Sequence, residues 1–398
     1  MTGSLDMDFT TARSLFPGLG RLTYLDVAGR APLCTPVRSA IERFMDLAEV
    51  GGDKAAMFRS IEAVRTAYAG LLNASPDEIA ITKNISEGLN IVANGIDWQP
   101  GDNLVLCEAL EHANNIYVWR NLERRFGIQV RSLPPTPEGE YPVEAMAQAV
   151  DARTRVVTAC THTFTPGFRT PLEGLGEAAR RHGALLLLDG AQTVGIGHLD
   201  MARLPVDALA VSTQKGLLGP YGMGLLYVRR EWAERLQPVY LARFGVDLGE
   251  AGEAAAGGTE YRLMPGARRF DLGNHNFLAA AALEASLELL NGVGTQRIEA
   301  HVRALAGRLA AGLIDLGLPV RGGPEHPRRD QLVSVGTPGE GHNASADPRM
   351  QSLYDALAAA GVKLSIRKDM LRFSFHLYNE AEDVDRVLDV TRAWSRGR

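Results

Sequence analysis

Two residues at the ends of apolar runs are placed to do chemistry together. Asp189 closes the run LLLLD at 185–189, and Lys215 follows ALAVS at 208–212, preceded by Ser212, Thr213 and Gln214. A carboxylate at a strand's carboxyl end can pair with a ring nitrogen and keep it protonated, so that the ring accepts electrons. A lysine whose pKa is lowered by its surroundings offers a neutral amine that condenses with an aldehyde to a Schiff base. Ser212, Thr213 and Gln214 carry side chains that donate to a phosphate. Gln192, three residues beyond Asp189, can reach a phenolic oxygen on the same ring. Gly216, Gly219, Gly222 and Gly224 permit a turn with close backbone approach. Alone, Asp189 is an ordinary strand-to-loop aspartate and Lys215 a solvated loop charge. In this order and spacing they meet the needs of pyridoxal 5′-phosphate (PLP), with Lys215 as its Schiff-base partner. Lysine stands at only four other positions, Lys54, Lys83, Lys363 and Lys368, which narrows the choice.

The elements that must hold these residues are legible as alternating short apolar and amphipathic runs, the pattern of a mostly parallel sheet flanked by helices. Strands are expected at 78–82, 103–107, 129–133, 155–160, 184–188, 208–212 and 224–228. Helices are expected at 86–93, 115–126, 143–150 and 171–182. Ligands in such sheets lie beyond the carboxyl ends of the strands, where Asp189 and Lys215 fall. Near Asn274 the texture changes. A helix at 277–290 leads into a second unit with strands at 332–335, 363–366 and 371–375, helices at 350–360 and 381–394, and loops at 321–329 and 337–348. The expected fold class is α/β, with a large PLP-binding domain over 21–275, a smaller C-terminal α+β domain over 276–398, and an N-terminal segment over 1–20.

Composition bounds the rest. A chain of 398 residues suits two domains. A hydrophobic share of 45% with 22% charged residues describes a globular chain. A net charge of -5 argues against a nucleic-acid partner. No stretch approaches the ~18 apolar residues of a membrane span, and the N-terminus MTGSLDMDFTTARSLF has no apolar signal core, so a cytoplasmic location is expected. Cys34, Cys107 and Cys160 are too scattered for a disulfide framework or a zinc site, and no metal is expected.

Seven ordered segments carry a resemblance that spans most of the chain: YLDVAGRAPL at 24–33, TKNISEGLN at 82–90, LEHANNIYVW at 110–119, DGAQ at 189–192, STQK at 212–215, RFDLGNHN at 269–276 and LRFSFHLYN at 371–379. The chain resembles the class V aminotransferases of fold-type I PLP enzymes, which include cysteine desulfurases, isopenicillin N epimerase and sulfur-amino-acid lyases. The resemblance implies that His112 stacks on the cofactor ring and can shuttle protons. It implies that Ser86, Glu87 and Gly88, opening a helix, meet the phosphate with Ser212 and Gln214. Glu87 fits a cap better than a phosphate contact, since two anions repel. Gln214 stands where many relatives have His. Asn274 matches the position that reaches a neighbouring subunit's phosphate, implying a homodimer with a shared site; relatives often have Thr there. Arg372 matches the clamp for the substrate α-carboxylate, which a planar guanidinium meets with two parallel bonds. Arg367 and Arg30 are further candidates, for a second substrate anion.

The sequence also departs from that pattern. Desulfurases of the family attack substrate sulfur with a cysteine on a C-terminal loop before the carboxylate arginine. Here that stretch is GVKLSIRKDMLR, without cysteine, and all three cysteines lie upstream of Lys215. The expectation drawn from this is that the usual cysteine-persulfide mechanism is closed. Phe164 or Thr165 stands where many relatives place an Asn beside the ring oxygen. What remains is chemistry on an amino acid bound to PLP as an external aldimine. The favoured reaction is β-elimination of a cysteine S-conjugate or sulfoxide by a C–S lyase in a sulfur-metabolite pathway. Transamination, epimerisation and decarboxylating or oxidative deamination are the alternatives. A non-catalytic PLP-fold binding protein would need a lost lysine or an added domain, and a nucleotide-binding protein a P-loop or GxGxxG; neither feature is present.

Overall fold

A computed structural model describes residues 7–249, 252 and 260–397; the first six residues of the segment expected at 1–20 lie outside it. Helices α1 (Phe9–Ser14), α2 (Thr35–Glu49) and α3 (Lys54–Leu72) open the chain, with a short strand β1 (Thr23–Tyr24) between the first two. Then come β2 (Ile79–Thr82), α4 (Ile85–Gly95), β3 (Asn103–Leu106), α5 (Asn114–Phe126), β4 (Gln129–Ser132), α6 (Val143–Ala149), β5 (Thr154–Cys160), α7 (Leu172–Arg181), β6 (Leu185–Asp189), β7 (Ala208–Ser212), β8 (Gly224–Val228) and α8 (Arg230–Arg235). The seven strands β2 to β8 form one sheet in the order β2-β8-β7-β6-β5-β3-β4. Its pairs are parallel except those made by β8, which runs against β2 and β7.

The near-continuous apolar runs are strands covered on both faces. In β6, Leu186 and Leu188 join one core cluster while Leu185 and Leu187 join the other. In β7 the same division separates Leu209 and Val211 from Ala208 and Ala210. Helices α4 and α5 cover one face through Leu89, Val92, Trp119 and Leu122. The other is covered by α3, α6 and α7, and two long helices, α9 (Phe277–Val293) and α10 (Thr295–Asp315), extend the same core, α9 against α2 and α3 and α10 against the C-terminal part. Strand registry aligns Cys160, Asp189 and Ala210 across β5, β6 and β7, so the carboxyl ends of the central strands finish together.

The C-terminal part holds β9 (Leu332–Val335), α11 (Pro348–Ala359), β10 (Val362–Lys363), β11 (Ser365–Arg367), β12 (Met370–Ser374) and α12 (Ala381–Arg396). Strands β11, β12 and β9 form an antiparallel sheet, and β10 pairs instead with β1 from the N-terminus. The single strand expected at 363–366 is therefore two, because the chain breaks at Leu364 and changes partner. Between β11 and β12 the two turn residues Lys368 and Asp369 have φ of 49° and 64°. Two left-handed central residues match the twist of flanking strands in a two-residue hairpin. A side chain there costs about 1–2 kcal/mol per residue. Asp369 offsets this by accepting from the N–H groups of Gly341 (3.0 Å) and Ala346 (2.6 Å), tying down the loop expected at 337–348.

Candidate active site

A cavity of about 350 Å³ opens at the aligned strand ends, and both Asp189 and Lys215 line it. The loop that carries Lys215 is held tightly. A Cβ at Gly216 would lie 2.3 Å from the Val194 carbonyl, so only glycine lets the lysine loop close on the turn that follows Asp189. The Gly216 carbonyl also meets His376 Nε2 at 2.9 Å. Burial pulls the Lys215 pKa from 10.5 to about 8, with the arginines Arg372 and Arg367 pulling the same way and Asp189 and Asp26 opposing. About a tenth of this amine is therefore neutral at pH 7, far more than at the ordinary lysine pKa, and that neutral form is the nucleophile.

Asp189 is buried, and its Oδ1 accepts from Ala191 N–H at 2.9 Å. Burial raises its pKa, while Ala191 N–H, Lys215 and His112 lower it. Among the described residues no cation lies within 4 Å of it. A buried carboxylate with an uncommitted oxygen calls for a charged N–H partner, and a pyridinium is one. At the other end of the cavity, Ser86 lies in the first turn of α4, capped by Asn84, whose side chain accepts from Glu87 N–H at 2.9 Å. Ser212 accepts from Ile85 N–H at 2.8 Å, which leaves its own hydroxyl proton for the cavity. Ser86 N–H, the Ser86 hydroxyl and the Gln214 amide have no protein partner among the described residues, and both side chains line the cavity. This neutral donor set at a helix N-terminus suits a phosphate. The residues present thus fit the aldehyde, ring nitrogen and phosphate of PLP.

His112, Gln192 and Arg372 also line the cavity. His112 accepts from Asn114 N–H at 3.2 Å through Nδ1, leaving Nε2 free, and its ring meets Phe164 edge-on at 5.5 Å. Burial first, then Lys215, lowers its pKa. Gln192 donates to the Ala28 carbonyl at 3.3 Å. Arg372 is only 1% exposed. It donates to the Phe164 carbonyl at 3.1 Å and to Ser365 Oγ at 3.4 Å, with the guanidinium 5.2 Å from the Phe164 ring. No carboxylate lies within 4 Å of it among the described residues, and burial brings its pKa down to about 10. A buried charge without a counter-ion is costly, so this guanidinium awaits an anion.

Other expected residues lie elsewhere. Glu87 faces away from the cavity and accepts from Lys83 N–H, acting within the turn before α4. At Gly88 an added Cβ would sit 2.9 Å from Ala210 Cβ; this glycine lets α4 lie on β7 and is not among the residues that line the cavity. Asn274 is exposed, in a separate depression with Lys83 and Glu87. Arg30 is exposed and outside the cavity, because its backbone turns back onto Asp26. Arg367 does line the cavity, and of the pair Phe164 and Thr165 it is Phe164 that forms a wall.

His342, His162 and Cys160 line the cavity without having been singled out. His342 comes from a loop with no periodicity to betray it. His162 is locked between Thr193 Oγ1 (2.6 Å) and Asp330 (3.0 Å). Cys160 closes β5, its thiol 3.0 Å from the Tyr141 hydroxyl and raised well above its ordinary pKa by burial. Tyr141 also donates to Glu111, whose carboxyl burial pushes up to about 8. Among the described residues no group of three or more His, Cys, Asp or Glu could hold a metal.

The family described as Aminotransferase class-V matches residues 23–387. The chain is 32% identical over 311 residues to a probable cysteine desulfurase of Methanothermobacter thermautotrophicus, covering 76% of this chain and 75% of that protein. The apo cysteine desulfurase of Thermococcus onnurineus superposes with a TM-score of 0.82 at 25% identity, over 97% of this chain and 98% of its own. A cystine C–S lyase, solved with its product cysteine persulfide, superposes with a TM-score of 0.83 at 26% identity, over 94% and 98%. These likenesses overturn the expectation that the cysteine-persulfide mechanism is closed to this chain. That expectation took position along the chain for position in space: Cys160, far upstream of the C-terminal loop, lines the same cavity as Lys215.

Proposed function

This chain belongs to the class-V aminotransferase family of PLP-dependent enzymes, and we propose that it cleaves the carbon–sulfur bond of a cysteine-derived amino acid by β-elimination. The observation that carries the amino-acid reading is the buried, carboxylate-free Arg372 facing the same cavity as Lys215 and Asp189. The likeness to a cystine C–S lyase supports the choice of bond.

When bound, PLP supplies an electron sink for the pair released at the substrate Cα. Asp189 would hold its ring nitrogen protonated, and Ser86, Ser212 and Gln214 would hold its phosphate. Arg372 grips the substrate α-carboxylate through two parallel N–H bonds, which fixes the orientation of the Cα–H bond. Lys215 Nζ, poised near neutrality, takes the Cα proton. His112 Nε2, uncommitted in this structure, supplies a proton to the departing sulfur. The exposed Asn274, matching the subunit-bridging position of relatives, supports a homodimer as the working unit.

A second reading, desulfuration of free cysteine, is favoured by the relatives named cysteine desulfurases. One experiment separates the two. PLP-loaded protein is incubated with L-cysteine and with a panel of cysteine S-conjugates and sulfoxides. Pyruvate and thiol in equal amounts from a conjugate support elimination. Alanine with sulfane sulfur from free cysteine supports the second reading. Only keto acid that still carries the sulfur substituent, racemised substrate or CO2 from every compound rejects carbon–sulfur cleavage.

A further inference from the structure

The cavity has more positive charge than one amino-acid carboxylate uses. Among the described residues its lining includes Lys215, Arg372 and Arg367 against a single carboxylate, Asp189, whose free oxygen suits a protonated ring nitrogen. Strand registry fixes how the two arginines relate. Ser365 pairs with Arg372 and Arg367 with Met370 across β11 and β12. Paired residues share a face, so Arg367 and Arg372 are diagonal neighbours on the face turned to the cavity, within reach of one another's ligands. They differ in depth: Arg372 is buried, whereas Arg367 is half-buried and has the exposed His342 beside it at the cavity mouth.

Arg367 is fixed in place. Its Nη1 donates to Asn343 Oδ1 at 3.0 Å and to the Ile366 carbonyl at 2.6 Å, and no carboxylate lies within 4 Å of it among the described residues. The Asp369 anchor and the left-handed turn at Lys368 and Asp369 hold both the arginine and the loop bearing His342. A strained turn retained beside a cavity points to function. The phosphate donors Ser86, Ser212 and Gln214 belong to α4, the end of β7 and the loop after it, and not to this hairpin.

We propose that Arg367, with His342 at the rim, forms a second anion site, so that the substrate is a cysteine derivative whose sulfur substituent ends in a carboxylate. This rests on the carbon–sulfur cleavage reading above. The deep guanidinium takes the α-carboxylate, and the outer one takes the distal acid, which orients the leaving group toward the mouth. The competing arrangement has both arginines on the same α-carboxylate.

The test compares two near-isosteric conjugates, S-(2-carboxyethyl)cysteine and S-propylcysteine, with the PLP-loaded wild type and Arg367→Ala. The expected wild-type preference in kcat/KM for the carboxylated conjugate is ~10- to 100-fold, below the full value of a buried charge pair because the site is partly solvated. Arg367→Ala removes that preference, and Arg367→Glu shifts it toward S-(2-aminoethyl)cysteine. Equal losses on both conjugates in Arg367→Ala, with the preference ratio unchanged, overturn the proposal in favour of the shared α-carboxylate. So does a wild type with no preference. Calorimetric binding of pimelate, whose carboxylates stand five chain atoms apart as in the conjugate, against hexanoate keeps the test independent of turnover. If no conjugate is cleaved yet pimelate binds at least tenfold tighter than hexanoate in wild type alone, the second site stands and the cleavage reading fails. If pimelate shows no such advantage, the second site fails.

Discussion

Replacing Arg372 by Met should make the protein more stable and nearly inactive at once. The guanidinium is 1% exposed and its pKa falls from 12.5 to about 10, chiefly through burial. At 1.36 kcal/mol per pKa unit, holding it charged in the folded state costs on the order of 3 kcal/mol. At pH 7, below both the folded and the unfolded pKa, the whole of that cost is present. Methionine fills most of the same volume without the charge. It forfeits the hydrogen bond to the Phe164 carbonyl, worth about 1 kcal/mol. The net gain is about 2 kcal/mol, which for a chain of this length raises Tm by roughly 2 °C. Activity moves the other way. Removing one partner of a desolvated carboxylate pair costs ~2–4 kcal/mol, or about 30- to 1000-fold in kcat/KM at equal PLP occupancy. The assay pairs thermal melts of the PLP-loaded proteins with kcat/KM on a cysteine S-conjugate. A less stable Arg372→Met variant whose kcat/KM stays within threefold of wild type would refute the reasoning and make Arg372 a structural residue.

Three further outcomes follow from the same geometry. Lys215→Ala should leave no pyridoxyl group on the chain after borohydride reduction; recovery of the group on a peptide holding Lys54, Lys83, Lys363 or Lys368 would show a different attachment point. In apoprotein the capture of PLP should speed up about tenfold per pH unit up to about 8 and then level off, since the neutral Lys215 amine is the reacting form; a flat profile from pH 6 to 9 would contradict the lowered pKa. Glu111, whose folded pKa is raised to about 8, binds a proton in the folded state that the unfolded chain has lost, so it makes stability fall as pH rises from about 4.5 to 8. Glu111→Gln should flatten that decline in denaturant titrations, and an unchanged slope would show that Glu111 ionises normally.

The large sheet was legible because its strands announce themselves twice. Runs such as 185–189 and 208–212 are apolar on both faces, and each ends in a residue of chemical use. Position at the strand end is what turned Asp189 and Lys215 from common residues into a pair. The helices at 35–49, 54–72 and 295–315 lie outside the sequence expectations, although in the last of them Ile298, Val302, Leu305, Leu309 and Leu313 repeat at three- and four-residue steps and are all buried. Glu87 and Gly88 were drawn toward the phosphate by their neighbour Ser86, but successive helical residues point about 100° apart. One of three adjacent residues can face the ligand while the others cap the turn or lie against β7.

The small sheet shows a different limit. Arg372 was placed by the apolar strand around it, but its meaning rests on having no counter-ion, and that depends on which carboxylates come near in space. His342 carries no sequence signal at all. It reaches the cavity because Asp369, 27 residues later, binds the N–H groups of Gly341 and Ala346. Asp369 can do so only because the β11–β12 turn adopts a left-handed geometry that Lys-Asp does not advertise as Asn-Gly would. The hairpin thus couples three things: the turn strain, the loop anchor and the two cationic side chains on one face. The substrate contacts of this site are set by that coupling, whereas the cofactor contacts are set by strand ends and a helix N-terminus. Local sequence rules describe strand ends and helix starts well, which is why the cofactor end could be read from the sequence. The substrate end depends on a long-range hydrogen bond to a loop, and only the folded chain displays it.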